Sequence, residues 1–492
     1  MRTPVPETCR TRSANPTGNG HPDRNPQDNF EHGVAEGLQE RTLSSARRVR
    51  RKILPGRGAP GTEVSGRARC DAFDIAALAA VECPGEGVMR YRALSDIRVV
   101  DLTHFIAGPY ATKLLADYGA EVIKVEPPGG EGGRRLGPFR SDGNVAHDRG
   151  GLFAFLNTNK LGITINLKDS AGRGALLKLL GDADLMVENF APGTLVRLGL
   201  PAEELLTKFP RLSIISISNF GQDGPDRDSI LNDLTLFARG GWTYPVGEKD
   251  REPLTPPGSL AQYVGGLYGA IAALQAVLAR RLSNGPGQHI DISLLEATVA
   301  TMIYEAVTFQ YVGVARERAG KRFAVGPFLI VTLRCRDGYA GLQCVTDKQF
   351  QALFELMGEP ALAADSRFAS ARQRMVNNDE LLRMVEEFFL KHERAWLYHE
   401  GQRRGIPLVP IPSVAEVLEW EQTRARGFFE TIEDPELGNI RIPGASLRFS
   451  SHRPEASRPA PRLGEHNREI LHARLGFGGE AMERTRDRAG AS

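Results

Sequence analysis

Ile97-Arg98-Val99-Val100-Asp101-Leu102 runs into Thr103-His104-Phe105-Ile106-Ala107-Gly108-Pro109, and Glu121-Val122-Ile123-Lys124-Val125-Glu126 follows after a helical interval. Short apolar runs of this kind read as strands buried on both faces. Gly108-Pro109 opens a helical stretch over 110–118, with Leu114 and Leu115 on its apolar face, and Gly119 stops it. Pro127-Pro128-Gly129-Gly130 ends the second strand. A third strand is predicted over 163–167, and Asp169 or Ser170 caps a helix running to about Leu180. Leu185–Glu188 and 212–218 are further strands. Such alternation predicts an α/β protein with a parallel sheet covered on both faces.

Farther along, a long helix is predicted over 264–282, closed by Ser283-Asn284-Gly285-Pro286-Gly287. A strand over 289–292 and a second long helix from Ser293 follow. After Gly326 the texture changes: 328–335 and 339–345, joined at Asp337-Gly338, read as a hairpin, and helices fill 348–399. We therefore expect a large α/β domain over 89–318, a smaller α+β domain over 319–405, and a return to the large domain over 406–476, beginning at Ile406-Pro407-Leu408-Val409-Pro410. The last residues, 477–492, read as a disordered tail.

Composition narrows the function. The chain has 492 residues, 41% apolar and 25% charged, with 62 Lys+Arg against 60 Asp+Glu. A net charge of +2 gives no field to hold a nucleic acid or an anionic membrane. No stretch approaches 18 consecutive apolar residues. The five cysteines, Cys9, Cys70, Cys83, Cys335 and Cys344, are odd in number and show no metal-ligand spacing. A cytoplasmic protein without a disulfide framework or structural metal is expected.

Residues 1–88 differ from the rest: twelve Arg and one Lys stand against eleven acidic residues, with Asn-Pro and Pro-Gly punctuation and no periodicity. This reads as a disordered leader. Arg47-Arg48-Val49-Arg50-Arg51-Lys52 lacks a following apolar segment and is not an export signal; RNA or lipid contact is its minority reading. Met89 is the expected start, the upstream residues being a gene-calling artefact.

The dinucleotide fingerprint is absent: glycines 129, 130, 132, 133 and 137 do not give G-x-G-x-x-G. Gly129–Gly133 reads as a mobile surface loop, with a lid over a ligand as the alternative. Glu188-Asn189-Phe190-Ala191-Pro192-Gly193-Thr194 sits at a strand end before a helix carrying Arg197. Free N–H groups, the helix dipole and the guanidinium there attract phosphate, and Phe190 offers a face for a base. The plain alternative is a Pro-Gly turn with a surface arginine. Thr103–Pro109 is a second strand end in the ligand crevice of open α/β sheets. Local physics stops at an α/β protein with a phosphate-friendly crevice.

Leu94-Ser95-Asp96-Ile97 through His104, Lys124-Val125-Glu126, Asn159-Lys160, Asp184 through Gly193, Gly285-Pro286-Gly287-Gln288-His289-Ile290-Asp291, Asp337-Gly338-Tyr339, Gly405-Ile406-Pro407 and Leu463-Gly464-Glu465-His466-Asn467 resemble, in order, the class III CoA-transferases. This is the group of formyl-CoA, carnitine and bile-acid CoA-transferases and α-methylacyl-CoA racemase, and the likeness spans about Leu94 to Gly476. It implies a Rossmann-like large domain built from both chain ends, a smaller domain, and two interlocked subunits. It also implies coenzyme A or acyl-CoA as substrate, with no metal, nicotinamide or flavin, and no nucleic-acid or membrane partner. By position, His104, Phe105 and Ala107 line the adenosine and pantetheine path, and Asn189, Phe190, Pro192, Gly193 and Arg197 hold the nucleotide end. The arginine many members carry after the second strand's glutamate is Pro127 here.

The resemblance departs at catalysis. Family transferases use an aspartate that is acylated by the thioester and passes CoA to a second acid; a carboxylate serves as both nucleophile and leaving group. That position is Gln262, and the racemase pair falls at Asn232 and Asp233. Three readings stand. CoA is transferred through another carboxylate, Asp233 being the nearest candidate in sequence. Alternatively, the chain is a CoA-binding subunit paired with an active paralogue, making a heterodimer rather than a homodimer. Or it runs another acyl-CoA reaction with Gln262 as a hydrogen-bond donor. Arg134, Arg135, Arg140, Phe309 and Tyr311 are loop residues from which an acceptor pocket is expected.

Overall fold

The computed structural model describes residues 92–139, 150–320, 328–450, 454 and 458–477; the leader, Cys9, Cys70, Cys83, Arg140 and residues 478–492 lie outside the described residues. Six strands make one parallel sheet: β1 (Arg98–Asp101), β2 (Glu121–Glu126), β3 (Leu161–Thr164), β4 (Leu185–Glu188), β5 (Ser213–Ser218) and β6 (His289–Ser293). Their order is β3-β2-β1-β4-β5-β6. All six residues of β5 are buried, which is why its Ile-Ile-Ser-Ile run does not alternate in polarity. The chain changes direction across the sheet between β1 and β4, so a crevice opens beyond their carboxyl ends.

On one face, Val99, Leu185, Val187, Ile215 and Ile217 pack beneath the helices Ala107–Asp117 and Leu260–Ser283. On the other, Val100, Ile123, Met186 and Ile214 meet the helix Ser170–Gly181, which Asp169 caps by accepting the Gly172 N–H at 2.7 Å. Glycine is needed at 266, where a Cβ would lie 2.6 Å from the Ala107 carbonyl oxygen. The Leu260–Ser283 helix begins four residues before the sequence pattern predicts, because a remote carboxylate, Asp233, accepts an N–H of its first turn. With 24 residues it is long and apolar enough to cross a membrane, yet half of its most apolar 18-residue stretch is buried inside the protein. Leu267, Ile271, Leu274, Leu278 and Leu282 stay exposed along its outer side.

The single long helix expected from Ser293 is instead two, Leu294–Ala300 and Ile303–Val312. Thr301 Oγ1 donates to the Thr298 carbonyl at 2.6 Å, a local bond that competes with helix continuation.

A second core surrounds Phe350, Phe354, Phe368 and Phe389. It packs on an antiparallel sheet of β7 (Leu329–Cys335), β8 (Gly338–Cys344) and β9 (Leu408–Pro410). The segment Ile406–Pro410, expected to lead back to the large domain, therefore completes this sheet, because Ile406 and Leu408 are buried in its core. After a hairpin of β10 (Phe429–Asp434) and β11 (Gly438–Pro443), residues 458–477 reach the first sheet. There Asn467 Oδ1 accepts the Thr164 N–H at 2.8 Å and His466 Nδ1 accepts the Gly162 N–H at 3.0 Å, covering the edge strand β3.

Candidate functional site

Two loops meet at the switch point, and each is fixed from below. After β1, Asp101 accepts the Thr103 N–H at 2.8 Å and the Thr112 hydroxyl at 2.7 Å. Lys160 Nζ lies 3.0 Å from the same carboxylate and also reaches the Pro109 carbonyl, Thr112 Oγ1 and Asn157 Oδ1. Burial alone would raise the Asp101 carboxyl, but Lys160, Lys124 and the two threonine hydroxyls outweigh it and hold it well below the usual range. Desolvation brings Lys160 down to about 8, against the pull of Asp101. Lys124 Nζ donates to the Thr103 carbonyl at 2.9 Å. Phe105 is left-handed at φ 64°, a conformation costly for an aromatic residue, and Glu131 Oε2 accepts its N–H at 3.2 Å.

After β4, the Asn189 side chain reaches across to the first loop. Its Oδ1 accepts the His104 N–H at 2.7 Å and its Nδ2 donates to the His104 carbonyl at 2.8 Å. The His104 and Phe190 rings meet edge to face at 5.3 Å. Burial, reinforced by Lys124, keeps the His104 imidazole below its ordinary pKa. Beneath this loop the Glu188 carboxyl accepts the Phe190 N–H at 2.7 Å. Desolvation pushes Glu188 up to about 7, with the Ser216 hydroxyl and the Phe190 N–H opposing and Asp291 adding to the rise.

These loops border a cavity of about 580 Å³ lined by Phe105, Ala107, Asn189, Phe190, Pro192, Arg197, Asn232, Asp233 and Gln262, among others. Gln262 lies in the first turn of the Leu260–Ser283 helix, and its N–H donates to Asp233 Oδ1 at 3.3 Å. Burial raises the Asp233 carboxyl, while the N–H groups of Gln262 and Ala261 and the Ser259 hydroxyl pull the other way. The loop after β5 supplies the opposite wall, with Ser218 and Arg227. Ser218 Oγ is buried there with no hydrogen-bond partner among the described residues.

The sequence pattern of CoA-transferase family III matches residues 94–467. The chain belongs to that family. Acetyl-CoA:oxalate CoA-transferase of Acetobacter aceti is 34% identical over 371 residues, 75% of this chain and 92% of that protein. The succinyl-CoA–L-malate CoA-transferase alpha subunit of Chloroflexus aurantiacus is 32% identical over 411 residues, 82% and 94% of the two chains. A crystal structure of a CAIB/BAIF family protein from Brucella suis superposes with a TM-score of 0.68 at 32% identity, covering 77% of this chain and 98% of that one. As a family III CoA-transferase the chain acts in one reaction class, moving CoA between an acyl-CoA thioester and a carboxylic acid.

Of the CoA-path and catalytic candidates from the sequence, the cavity wall gathers all but two: His104 stands behind Phe190, and Gly193 underlies Arg197. Two readings change. The helix after Gly193 is one turn, Thr194–Arg197, so its dipole is small and the attraction for phosphate falls to the arginine. The 129–133 segment is no mobile surface loop. Arg134 is buried and bonds Glu126 through Nε and Nη2, each at 2.7 Å, because a buried carboxylate requires a partner. Arg135 donates to the Gly129 carbonyl at 3.3 Å, and none of Arg134, Arg135, Phe309 or Tyr311 lines this cavity. Ser218 and Arg227 carry no sequence signal: no motif surrounds them, and only the fold brings their loop against Gly193.

Proposed function

We propose that this family III CoA-transferase moves CoA between a short acyl-CoA and a small dicarboxylic acid, with Asp233 carrying the acyl group. The observation behind the carrier is that Asp233 and Gln262 share one cavity wall and are joined through the Gln262 N–H. The dicarboxylate is supported by the oxalate and L-malate in the names of the relatives. In this scheme an Asp233 carboxylate oxygen attacks the thioester carbonyl, the C–S bond breaks, and CoA leaves as thiolate, giving a mixed anhydride. The thiolate then attacks the Asp233 carbonyl carbon and releases the donor acid, leaving an aspartyl-CoA thioester. The acceptor carboxylate attacks that thioester, and the freed thiolate takes the acceptor acyl group, regenerating Asp233. The Gln262 amide donates to the oxyanion in each addition.

Association with a second copy of the chain is part of the proposal, supported by the exposed apolar stripe from Leu267 to Leu282. Operation in the cytoplasm is supported by Cys335 and Cys344, which are free and buried. The test is CoA exchange by the full chain between succinyl-CoA and labelled succinate, oxalate or malate, with hydroxylamine trapping and peptide mapping. Exchange with a hydroxamate on Asp233, and loss of both in Asp233→Asn, is expected. Exchange that survives Asp233→Asn refutes the carrier. No exchange with any pair, while CoA still binds, supports a second reading: a CoA-binding subunit with an active paralogue. Gln262 and the alpha-subunit character of the Chloroflexus relative favour that reading.

A further inference from the structure

Two arginines from different loops converge over one glycine. Gly193, at φ 76°, ends the turn after β4, and a Cβ placed on it would lie 3.3 Å from Arg197 Nη1 and 4.0 Å from Arg227 Nη2. The two guanidinium groups are therefore no farther apart than those distances combined, and both line the cavity. Arg197 Nη2 donates to Thr194 Oγ1 at 2.6 Å, and no carboxylate among the described residues lies within ion-pair distance of it. Arg227 makes two long contacts, Nη1 to the Gln222 carbonyl at 3.4 Å and Nε to Asp228 at 3.5 Å, and neither uses Nη2. One nitrogen of each fork thus points toward the same glycine. Like charges repel at such separation, and an anion with several oxygens, placed between them, accepts from both.

We propose that Arg197 and Arg227 form a two-armed phosphate clamp in the CoA site, with Arg227 a binding residue for the nucleotide end of the substrate. This rests on the CoA-transferase reading and adds to it a residue from the loop after β5. The shared chemistry is a phosphate oxygen, which CoA presents both in its diphosphate and in its 3′-phosphate. Pro192 and Phe190 border the same wall and leave an apolar face beside the clamp. Gly193 keeps the space open, since any side chain there would meet Arg197 Nη1.

Isothermal titration of the full chain with CoA and with 3′-dephospho-CoA tests the clamp in wild type, Arg197→Ala and Arg227→Ala. Arg227→Ala is expected to weaken CoA about tenfold, the scale of one charge-assisted contact to a phosphate. If the 3′-phosphate is the bound group, Arg227→Ala leaves dephospho-CoA binding as it is in wild type. If the diphosphate is bound, the variant weakens both ligands alike. Arg227→Lys keeps the charge but not the fork and is expected to fall between, which serves as the readout should Arg227→Ala lose its thermal transition. CoA binding by folded Arg227→Ala at wild-type affinity overturns the clamp. Wild-type protein that binds no CoA overturns the underlying reading, and the clamp with it.

Discussion

Replacing Glu188 by Gln should flatten a pH dependence built into the sheet beneath the loop after β4. Glu188 ends β4, is 3% exposed, and lies in register with Ser216 of β5, which in turn pairs with Asp291 of β6. The Ser216 hydroxyl and the Phe190 N–H face its carboxyl, Asp291 repels it through space, and His289 Nε2 sits 2.8 Å from Ser216 Oγ. Desolvation is the largest influence and moves the group from 4.5 to about 7. Below the lower value the carboxyl is protonated in both folded and unfolded chains and costs nothing. Between the two the folded chain keeps a proton that the unfolded chain releases, so stability falls as pH rises. Above the upper value the buried carboxylate carries the full penalty, roughly 3 kcal/mol. Glutamine is uncharged throughout and still accepts the Phe190 N–H. The assay is the urea midpoint of wild type and Glu188→Gln between about pH 5 and about pH 8.5, the span over which the folded carboxyl ionises. Other titrating groups are common to both proteins and cancel in the difference. The variant is expected to gain relative to wild type from about pH 5 to about pH 7 and to keep a constant advantage above that. Two parallel curves would refute the reasoning.

Lys160→Met removes the cation paired with fully buried Asp101 and is expected to cost about 3–5 kcal/mol, read as a lower urea midpoint. Because the same pair positions Thr103 and Thr112, CoA affinity measured by titration should drop in whatever fraction remains folded. Gly266→Ala places a methyl group 2.6 Å from the Ala107 carbonyl oxygen and should destabilise by about 1–3 kcal/mol in a thermal or urea transition. Ile271→Glu and Leu278→Glu introduce charges on exposed positions of the Leu260–Ser283 helix, 51% and 56% accessible. Light scattering after gel filtration should show a shift toward single chains, with the helical circular dichroism unchanged; an unaltered mass would remove that stripe from any interface. Gln262→Asp replaces the oxyanion donor beside Asp233 with a carboxylate that only accepts, so CoA exchange is expected to fall; a rise would assign the acyl group to position 262 instead of Asp233.

What could be read from the sequence was what local chemistry dictates. The runs at 98–101 and 185–188 can hardly be anything but interior strands, and the loops after them, at His104 and Asn189, fall where a parallel sheet presents its ligands. What could not be read depends on partners distant in the chain. Arg134 looks like a loop arginine until Glu126 is placed beneath it, and the first turn of the Leu260–Ser283 helix has no cap of its own until Asp233 supplies one. Arg227 is the sharper case. With Pro127 where a family arginine is expected, the sequence left the phosphate grip incomplete, and nothing around Asp226-Arg227-Asp228 suggests a replacement. Only the parallel register of β4 and β5 brings the loops that follow them to the same rim, so that Arg227 and Arg197 meet over Gly193. A binding group can thus come from the loop after β5 instead of the loop after β2, with β1 and β4 lying between those strands, because the rim belongs to the sheet and not to any one loop.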